Sequence, residues 1–343
     1  MLNSGSTTIA SVGPSADDPQ ALLGEIEALG PRLATVRESI AKVIYGQRDV
    51  IDQTLVTLLA GGHVLLIGVP GLAKTRLVET LGVVLGLDAK RVQFTPDLMP
   101  ADILGSEVLE ESDGGSRSFR FIRGPVFCQL LMADEINRAS PRTQSALLQS
   151  MQEYQVSVAG ARHELPRPFH VLATQNPLEQ EGTYPLPEAQ LDRFLLQVDV
   201  DYPDQDAERT MMIATTGSAQ PTADAVLNAE ELIRIQNLIR RVPVGEKVVE
   251  AILTMVRAGR PEGSTIDIVR RNVAWGPGPR ASQALMLAAR ARAVLDGRLA
   301  PSIDDVVALA GPILRHRMAL TFAARADGVT VNHVIDKLRE PLL

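Results

Sequence analysis

Short apolar runs, each followed by a segment with apolar residues at helical spacing, form the middle of the chain. Such runs are typical of buried strands, and the helical segments between them are typical of crossover connections. The predicted strands are His63–Ile67, Arg91–Phe94, Gln129–Ala133, Phe169–Thr174 and Phe194–Val200. Strands that alternate with helices predict an α/β fold with a doubly wound, mostly parallel, five-stranded sheet.

Two pairs of shorter segments interrupt this alternation. Ser106–Leu109 and Ser118–Phe121 alternate apolar with polar residues around an acidic, glycine-containing stretch, which predicts a hairpin with a solvated tip. Val156–Val158 and His163–Leu165 predict a second hairpin, with its turn at Gly160.

The regions on either side of the predicted sheet lack strand patterns. Residues 1–19 are rich in small polar residues without periodicity and predict a disordered arm. Helical periodicity runs through Asp18–Val43, where Gly30-Pro31 predicts a break or a kink. From Glu208 onward only helical periodicity remains, apart from a loop at Asn272–Pro279. The predicted units are the arm (1–19), an α/β domain (20–203) and an all-helical lid (204–343).

The stretch GVPGLAKT (68–75) lies between the first strand and a helix. It matches the phosphate-loop pattern except that Ala73 replaces the last glycine. Loop and first-turn N–H groups, together with the helix dipole, favour an anion there. Lys74 is expected to reach the outer phosphates and Thr75 a magnesium ion. Gly68 and Gly71 are expected to adopt dihedrals that a Cβ penalises, and Ala73 is tolerable if it is already helical. The alternative is a chance glycine-rich turn.

Acidic and amide side chains follow two later strands. Asp134 and Glu135 come directly after a buried run, at the end of a strand where α/β sheets bind ligands. Asp134 suits a magnesium ion, and Glu135 suits the orientation of a water towards a γ-phosphate. Asn176, after the next strand, is placed to hydrogen-bond that water. The alternative is that the acidic pair is only a solvated strand end.

Two arginines and one short segment complete the set of candidate residues. Arg193 precedes the last strand, and Arg280 begins a helix of the lid. An arginine presented to a neighbour's nucleotide would neutralise charge in the transition state, and one in the lid would close the lid on the γ-phosphate. Either could instead be a surface arginine. The apolar Ile44 ahead of Gly46 suggests a bracket for an adenine ring.

Composition excludes several classes of protein. The single cysteine, Cys128, rules out an intrachain disulfide or a thiolate metal cluster, and five scattered histidines show no ligand spacing. The net charge of −7, with one Trp, four Tyr and seven Phe, argues against a nucleic-acid-coating protein. No apolar run is long enough to cross a bilayer, and the first residues have no secretory pattern, so a cytoplasmic location and no membrane insertion are expected.

Taken together, the motifs resemble the MoxR-type AAA+ ATPases, in the clade with an insertion in the helix after the second strand. The matching segments are IYGQ (44–47), GVPGLAKT (68–75), FTPDLMPADILG (94–105), FRFIRGPVF (119–127), ADEINRASPRTQSALL (133–148), ATQNP (173–177), YPLPEAQLDRF (184–194) and GPGPRAS (276–282). They occur in the family's order and span residues 36 to 320.

The resemblance implies a role for each candidate residue, with ATP and Mg²⁺ as the ligands. Lys74 and Thr75 match the Walker A pair, and Asp134 and Glu135 match Walker B. In the same way Asn176 matches sensor 1, Arg193 the trans-acting finger and Arg280 sensor 2. Segment 95–123 corresponds to the helix-2 insert and 155–166 to the pre-sensor-1 hairpin. The nucleotide-binding residues are then Ile44, Gly46, Gly68, Pro70, Gly71, Leu72, Ala73, Lys74, Thr75 and Arg76.

The resemblance also implies self-association into a hexameric ring and a chaperone-like ATPase activity. Members often act with von Willebrand factor A-domain partners in the maturation of enzymes or complexes, including metal insertion. Two other functions need the same site. One is a nucleotide-gated binding scaffold with slow turnover, and the other is a DNA-dependent motor, because helicase subunits and magnesium chelatase share the clade. The sequence does not identify the client.

Overall fold

The computed structural model describes residues 19–111, 117–179, 182–218 and 221–343. The strands are β1 (Val64–Ile67), β2 (Ala89–Gln93), β3 (Gly105–Glu111), β4 (Arg117–Arg123), β5 (Leu130–Asp134), β6 (Gln155–Val158), β7 (Ala161–Glu164), β8 (His170–Gln175), β9 (Leu196–Asp199), β10 (Val273–Trp275) and β11 (Ala319–Leu320). The helices are α1 (Pro19–Ala41), α2 (Arg48–Leu59), α3 (Lys74–Val84), α4 (Pro100–Leu104), α5 (Pro141–Glu153), α6 (Glu188–Leu191), α7 (Gln205–Thr216), α8 (Ala229–Arg241), α9 (Glu246–Ala258), α10 (Asp267–Asn272), α11 (Pro279–Leu295), α12 (Ile303–Leu314), α13 (Phe322–Ala326) and α14 (Val331–Arg339).

The central sheet has the strand order β2-β5-β8-β1-β9, and every neighbouring pair is parallel. All of β5 is buried, as is all but the last residue of β8, because helices cover both faces. The parallel five-stranded α/β prediction is therefore confirmed. Since parallel strands end at one edge, the residues that follow β1, β5 and β8 meet there.

Helix α1 differs from its prediction. It is one continuous helix with Pro31 inside it, not two helices. Ile26 lies before the proline and Leu33, Val36 and Ile40 lie after it, and all four are buried in the same core. An internal proline costs a helix about 3 kcal/mol, and packing on both sides of Pro31 offsets that cost.

Two antiparallel hairpins extend from the sheet region. β3 pairs with β4, with Leu109 opposite Phe119, and β6 pairs with β7 around a turn at positions 159–160. The predicted acidic tip of the first hairpin lies largely at residues 112–116, outside the described residues. The predicted N-terminal arm also lies outside them, except for Pro19, where α1 begins.

The C-terminal region is helical, as predicted, and contains one feature that periodicity did not indicate. β10 and β11 form a two-stranded antiparallel ribbon, which occupies part of the predicted loop at 272–279. Helices α8, α9, α11 and α12 share one hydrophobic core with α1, α2 and α3. The lid is thus attached to the sheet domain by continuous apolar packing. Among the described residues no helix is both long and apolar enough to span a membrane.

The loop between β1 and α3 contains a left-handed residue. Ala73 is the N-cap of α3 and has φ 56° and ψ 21°, so the helical conformation in which alanine would be tolerated without strain is not the one it adopts. The left-handed region costs a residue with a Cβ roughly 1–2 kcal/mol, which explains why glycine is usual at this position. The surrounding packing holds Ala73 in this strained conformation, and as a result the first N–H groups of α3 point into the loop.

Two buried histidines join the sheet to its surroundings in their neutral forms. His63 Nδ1 accepts a hydrogen bond from the Val171 N–H (3.0 Å), and its Nε2 is bonded to the Met151 carbonyl (3.2 Å). His170 Nδ1 donates to the Gly62 carbonyl (2.8 Å). Burial lowers the pKa of His63 to about 3, with a smaller effect from His170, and burial lowers the pKa of His170 to about 4.

We expect Ala73→Gly to raise the free energy of unfolding by about 0.5–1 kcal/mol, because glycine relieves the left-handed strain. Glycine also raises the conformational entropy of the unfolded chain, but this effect offsets only part of the stabilisation. Urea denaturation without nucleotide measures the change. Ala28→Gly, in the exposed interior of α1, is the matched control and should lower that free energy by about 0.5–1 kcal/mol. Equal losses in both variants would contradict the left-handed geometry.

We expect stability to fall as the pH drops below the ordinary histidine pKa of 6.5. In the unfolded chain both histidines then bind a proton, whereas in the folded chain the buried His63 and His170 stay neutral. Each histidine should therefore lower the free energy of unfolding by on the order of 2 kcal/mol between pH 6.5 and 5. Denaturation at pH 7 and pH 5 measures the difference. His170→Gln should reduce this difference in the free energy of unfolding by about the contribution of one histidine. His333→Gln, at an exposed position, should leave the difference unchanged. An unchanged difference in His170→Gln would refute this account.

Candidate functional site

A cavity of about 370 Å³ lies at the carboxyl edge of the sheet. Its walls are the loop before α3, the first turn of that helix and the ends of β5 and β8. The described residues that line it are Pro70, Gly71, Leu72, Ala73, Lys74, Thr75, Arg76, Asp134, Glu135, Thr174 and Asn176. Most of the residues predicted for phosphate and metal binding are therefore brought together, with Thr174 as an addition. We call this space the phosphate cavity.

Lys74 folds back over its own loop. Its ammonium group donates to the carbonyls of Gly68 and Val69, the latter at 2.9 Å. Burial lowers the pKa of Lys74, and the nearby Asp134 and Glu135 act in the opposite direction. The loop thus holds a cation at the edge of a cavity that also contains two carboxylates.

Asp134 is fixed by two neighbouring strands. The hydroxyl of Thr174, on β8, donates to one carboxylate oxygen at 2.5 Å. Arg91, on β2, donates twice to the other oxygen, from Nη2 at 2.7 Å and from Nε at 3.1 Å. Sequence reasoning missed both partners, because each depends on which strands lie beside β5.

Glu135 is held by its backbone and by its side chain. Its φ is 54°, a left-handed conformation, and its N–H donates to the Thr174 hydroxyl at 2.8 Å. Its Oε2 accepts hydrogen bonds from Gln93 Nε2 (2.7 Å) and Arg138 Nη1 (2.9 Å). Glu135 also raises the pKa of Arg138 through that bond. Strain and two donors together orient one carboxylate at the mouth of the cavity.

The remaining predicted residues of the edge lie close by. The Oδ1 atom of Asn176 accepts a hydrogen bond from the Leu178 N–H at 3.1 Å, which fixes the amide at the end of β8. Gly71 has φ 88°, as expected for a loop glycine, and open space around its Cα.

Gly68 is required for a different reason from the one predicted. It does not have a positive φ; instead, an added Cβ would lie 2.6 Å from the Val200 carbonyl oxygen. The constraint is therefore the close approach of the loop to the residue after β9. Gly68 does not line the phosphate cavity, but its carbonyl accepts from Lys74.

A second cavity of about 370 Å³ adjoins the phosphate cavity and shares Pro70 to Ala73 and Arg76 with it. Its other lining residues are mostly apolar or uncharged, namely Val43, Ile44, Tyr45, Gln47, Tyr202, Pro203, Glu208, Met211 and Thr215. The last three lie on α7, which sequence reasoning did not connect with the site. A mostly apolar cleft beside a phosphate loop has the character of a site for a flat heterocyclic base.

Gly46 does not line this second cavity, although the sequence predicts that it contacts nucleotide. It has φ 65°, and an added Cβ would lie 2.3 Å from the Cβ of Ala207 on α7. Its place is the tight turn between α1 and α2, which packs against α7. The adjacent Tyr45 and Gln47 do line the cavity.

The two predicted arginines lie together in a third cavity of about 260 Å³, which we call the arginine cavity. Arg193 Nη1 donates to the Leu148 carbonyl at 2.7 Å, and Arg280 Nη1 lies 3.4 Å from Asp192 Oδ2. Arg317 also lines this cavity. Within the described part of the chain, no residue lines both this cavity and the phosphate cavity. Arg280 therefore lies away from the phosphate cavity of its own chain, whereas its place in the lid predicts that it closes over the γ-phosphate.

Comparison with known proteins agrees with the fold and the motifs. Residues 63–196 match the ATPase family associated with various cellular activities (AAA), and residues 266–338 match the AAA lid domain. Chaperone MoxR1 of Mycobacterium tuberculosis is 41% identical over 332 residues, covering 96% of this chain and 86% of that protein. Protein MoxR of Methylorubrum extorquens is 32% identical over 309 residues, covering 84% and 87% of the two chains.

A solved structure gives the same result in three dimensions. The crystal structure of a Cytophaga hutchinsonii protein, provisionally named an ATPase, has a TM-score of 0.85 and 35% identity, and the match covers 94% of this chain and 96% of that one. Identity of this extent over nearly the whole chain, with both the AAA and the lid regions matched, shows that the chain belongs to the MoxR family of AAA+ ATPases.

Proposed function

We propose that this chain hydrolyses ATP at the interfaces of a ring, between the phosphate cavity of one subunit and the arginine cavity of the next. The observation that carries the proposal is the division of the candidate residues between two cavities with no common lining residue in the described chain. Hydrolysis requires more positive charge beside the γ-phosphate than one lysine provides, because charge on the transferring phosphoryl group must be stabilised in the transition state. Two arginines held apart from their own phosphate cavity suit a neighbour's nucleotide.

In this proposal ATP lies across the two adjoining cavities. The adenine ring occupies the cleft of Ile44, Tyr45, Tyr202 and Met211, and the phosphates follow the shared loop. The first-turn N–H groups of α3 and the ammonium of Lys74 then contact the phosphates. Lys74 must exchange the loop carbonyls for phosphate oxygens, which is favourable because the charge of Lys74 is better balanced by phosphate.

The residues fit a magnesium ion. Thr75 and Asp134 bring a hydroxyl and a carboxylate to the phosphate cavity, and Mg²⁺ prefers one or two such oxygens together with phosphates and water. Among the described residues there is no cluster of three or more His, Cys, Asp or Glu side chains that could hold a metal ion. An ion held there by Thr75 and Asp134 would neutralise part of the charge of the phosphates.

Glu135 orients the attacking water in this proposal, and Asn176 holds the water from the other side. Gln93 and Arg138 both bond to Oε2 of Glu135, so Oε1 is the oxygen that receives the water's hydrogen bond. The backbone N–H bond to Thr174 ties that carboxylate to Asp134. Water and ion are thus positioned by adjacent residues of one strand end.

The biological role that we propose is chaperone-like remodelling of a protein client. It rests on the relative named Chaperone MoxR1. The unit 20–203 would bind nucleotide and 204–343 would act as its lid, in a cytoplasmic ring, with six subunits and a von Willebrand factor A-domain partner as the family expectation. The alternative, a nucleotide-gated scaffold that uses slow ATP turnover only to release a bound partner, needs the same site. The two differ in whether client change scales with the ATP consumed.

A DNA-dependent motor is less well supported. The basic residues of the β3–β4 hairpin are engaged within the hairpin region: Arg117 pairs with Glu111 at 3.4 Å and Arg120 pairs with Glu110 at 2.9 Å. The Arg123 guanidinium lies 5.3 Å from the centre of the Phe127 ring. The two glutamates lower the positive potential that nucleic-acid binding would need.

We expect Glu135→Gln to bind ATP with near-native affinity and to hydrolyse it at least about 100-fold more slowly, because the amide cannot accept the water's proton. Equilibrium binding of a fluorescent ATP analogue and phosphate release measure the two effects. Glu153→Gln makes the same change at an exposed position on α5, so it is the matched control and should leave both unchanged. Near-native hydrolysis by Glu135→Gln would remove Glu135 from this role.

We expect Arg193→Ala to bind ATP but to lose about 1000-fold in turnover, which is the scale of a trans-acting arginine. Mixing it with Glu135→Gln subunits, which still carry Arg193, should restore turnover at some interfaces. Arg142→Ala, at an exposed position on α5, serves as the control and should remain active alone. Absence of recovery at every mixing ratio would argue against a shared site.

A further inference from the structure

Arg317 is a buried guanidinium in the turn after α12, and its side chain is only 3% exposed. All five of its N–H donors are engaged. Nε donates to Asp192 Oδ1 (2.6 Å), and Nη1 donates to the carbonyls of Leu195 (3.1 Å) and Ile313 (2.7 Å). Nη2 donates to the carbonyls of Phe194 (2.7 Å) and Asp192 (3.3 Å).

Four of these five bonds go to one short segment, residues 192–195, between α6 and β9. That segment carries Arg193 in its middle. A buried charge is stable only when it is fully paired and hydrogen-bonded, so the carbonyls of this segment cannot move independently of Arg317. The turn of the lid thereby fixes the backbone from which Arg193 projects.

Asp192 connects the same guanidinium to the second arginine. Its Oδ1 accepts from Arg317, and its Oδ2 lies 3.4 Å from Arg280 Nη1. The lid therefore contributes both Arg317 and Arg280 to the cavity, and a single carboxylate contacts both. Without Arg317, the carboxylate would be free to turn fully towards Arg280.

We infer that Arg317 is a positioning residue that holds Arg193 and Arg280 in one rigid arrangement for insertion into the ATP site of the neighbouring subunit. This inference rests on the proposed function, because it requires that the two arginines act in trans. Arg317 lines the arginine cavity and not the phosphate cavity of its own chain, so its effect belongs to the neighbour's hydrolysis and not to its own nucleotide binding.

The test uses the full-length chain with Arg317→Lys, which keeps the charge and loses the planar five-donor fork. We expect turnover to fall about 100-fold, the scale of a small misplacement at a catalytic centre, while the affinity for a fluorescent ATP analogue stays within about threefold of native. Arg315→Lys, in the same turn but paired with Asp199 and Asn332, is the matched control and should keep near-native turnover.

The decisive measurement is turnover after mixing with an excess of Glu135→Gln subunits. These donate native arginines, so an Arg317→Lys subunit beside one of them should regain hydrolysis in its own intact phosphate cavity. Asp192→Asn removes the shared carboxylate at a partly exposed position. Its turnover should fall less than that of Arg317→Lys and should recover in the same way on mixing. If Arg317→Lys does not fold, Asp192→Asn alone tests the inference.

Two negative results are distinguishable. If Arg193→Ala recovers on mixing and both Arg317→Lys and Asp192→Asn do not, the inference is wrong and the shared site stands, since Arg317 then serves only its own fold. If Arg193→Ala does not recover either, the shared site and the role of Arg317 are both overturned. A fall in the ATP affinity of Arg317→Lys as large as its fall in turnover would also overturn the positioning role of Arg317.

Discussion

The parallel alignment of β5, β8 and β1 is the constraint on which the rest of the structure depends. These strands lie side by side, so their carboxyl ends deliver Asp134, Thr174 and the loop after β1 to one edge. These three strands are buried except at the last residue of β1 and of β8, which makes a slip of one strand costly. That rigidity allows polar side chains from three separate segments to share a cavity.

Two of the four left-handed non-glycine residues in the described chain lie at this edge. Ala73 and Glu135 both adopt left-handed conformations, and each lies directly after or before a buried element. The free energy of packing in β5 and α3 holds them there, and the result is that first-turn N–H groups and a carboxylate face the same space. Hydrogen bonds from Thr174, Gln93 and Arg138 keep the acidic pair in place once the backbone has set its direction.

The lid is joined to the rest of the chain in two ways. Its helices share a core with α1, α2 and α3, and its buried Arg317 holds the segment that carries Arg193. A shared core and direct hydrogen bonds therefore couple the lid to the arginine cavity within one chain. In a ring, such coupling would let the state of one nucleotide influence the completion of the next site, because both depend on the same rigid attachment.

The sequence by itself determined the α/β class, the positions of the five sheet strands to within a few residues, and Lys74, Asp134, Glu135 and Asn176 as candidate residues that the structure brings to one cavity. These are local properties: apolar periodicity reports burial, and the phosphate loop is contiguous. Only the tertiary structure decided the continuity of α1 through Pro31, the left-handed state of Ala73, the steric need for Gly68 and the place of Gly46. It also decided that Arg193 and Arg280 lie together, apart from Lys74, and that Arg317 donates to the segment that carries Arg193 and to the carboxylate beside Arg280. Contacts of this kind join residues far apart in sequence, and they depend on strand order and helix packing, which hydrophobic periodicity does not encode.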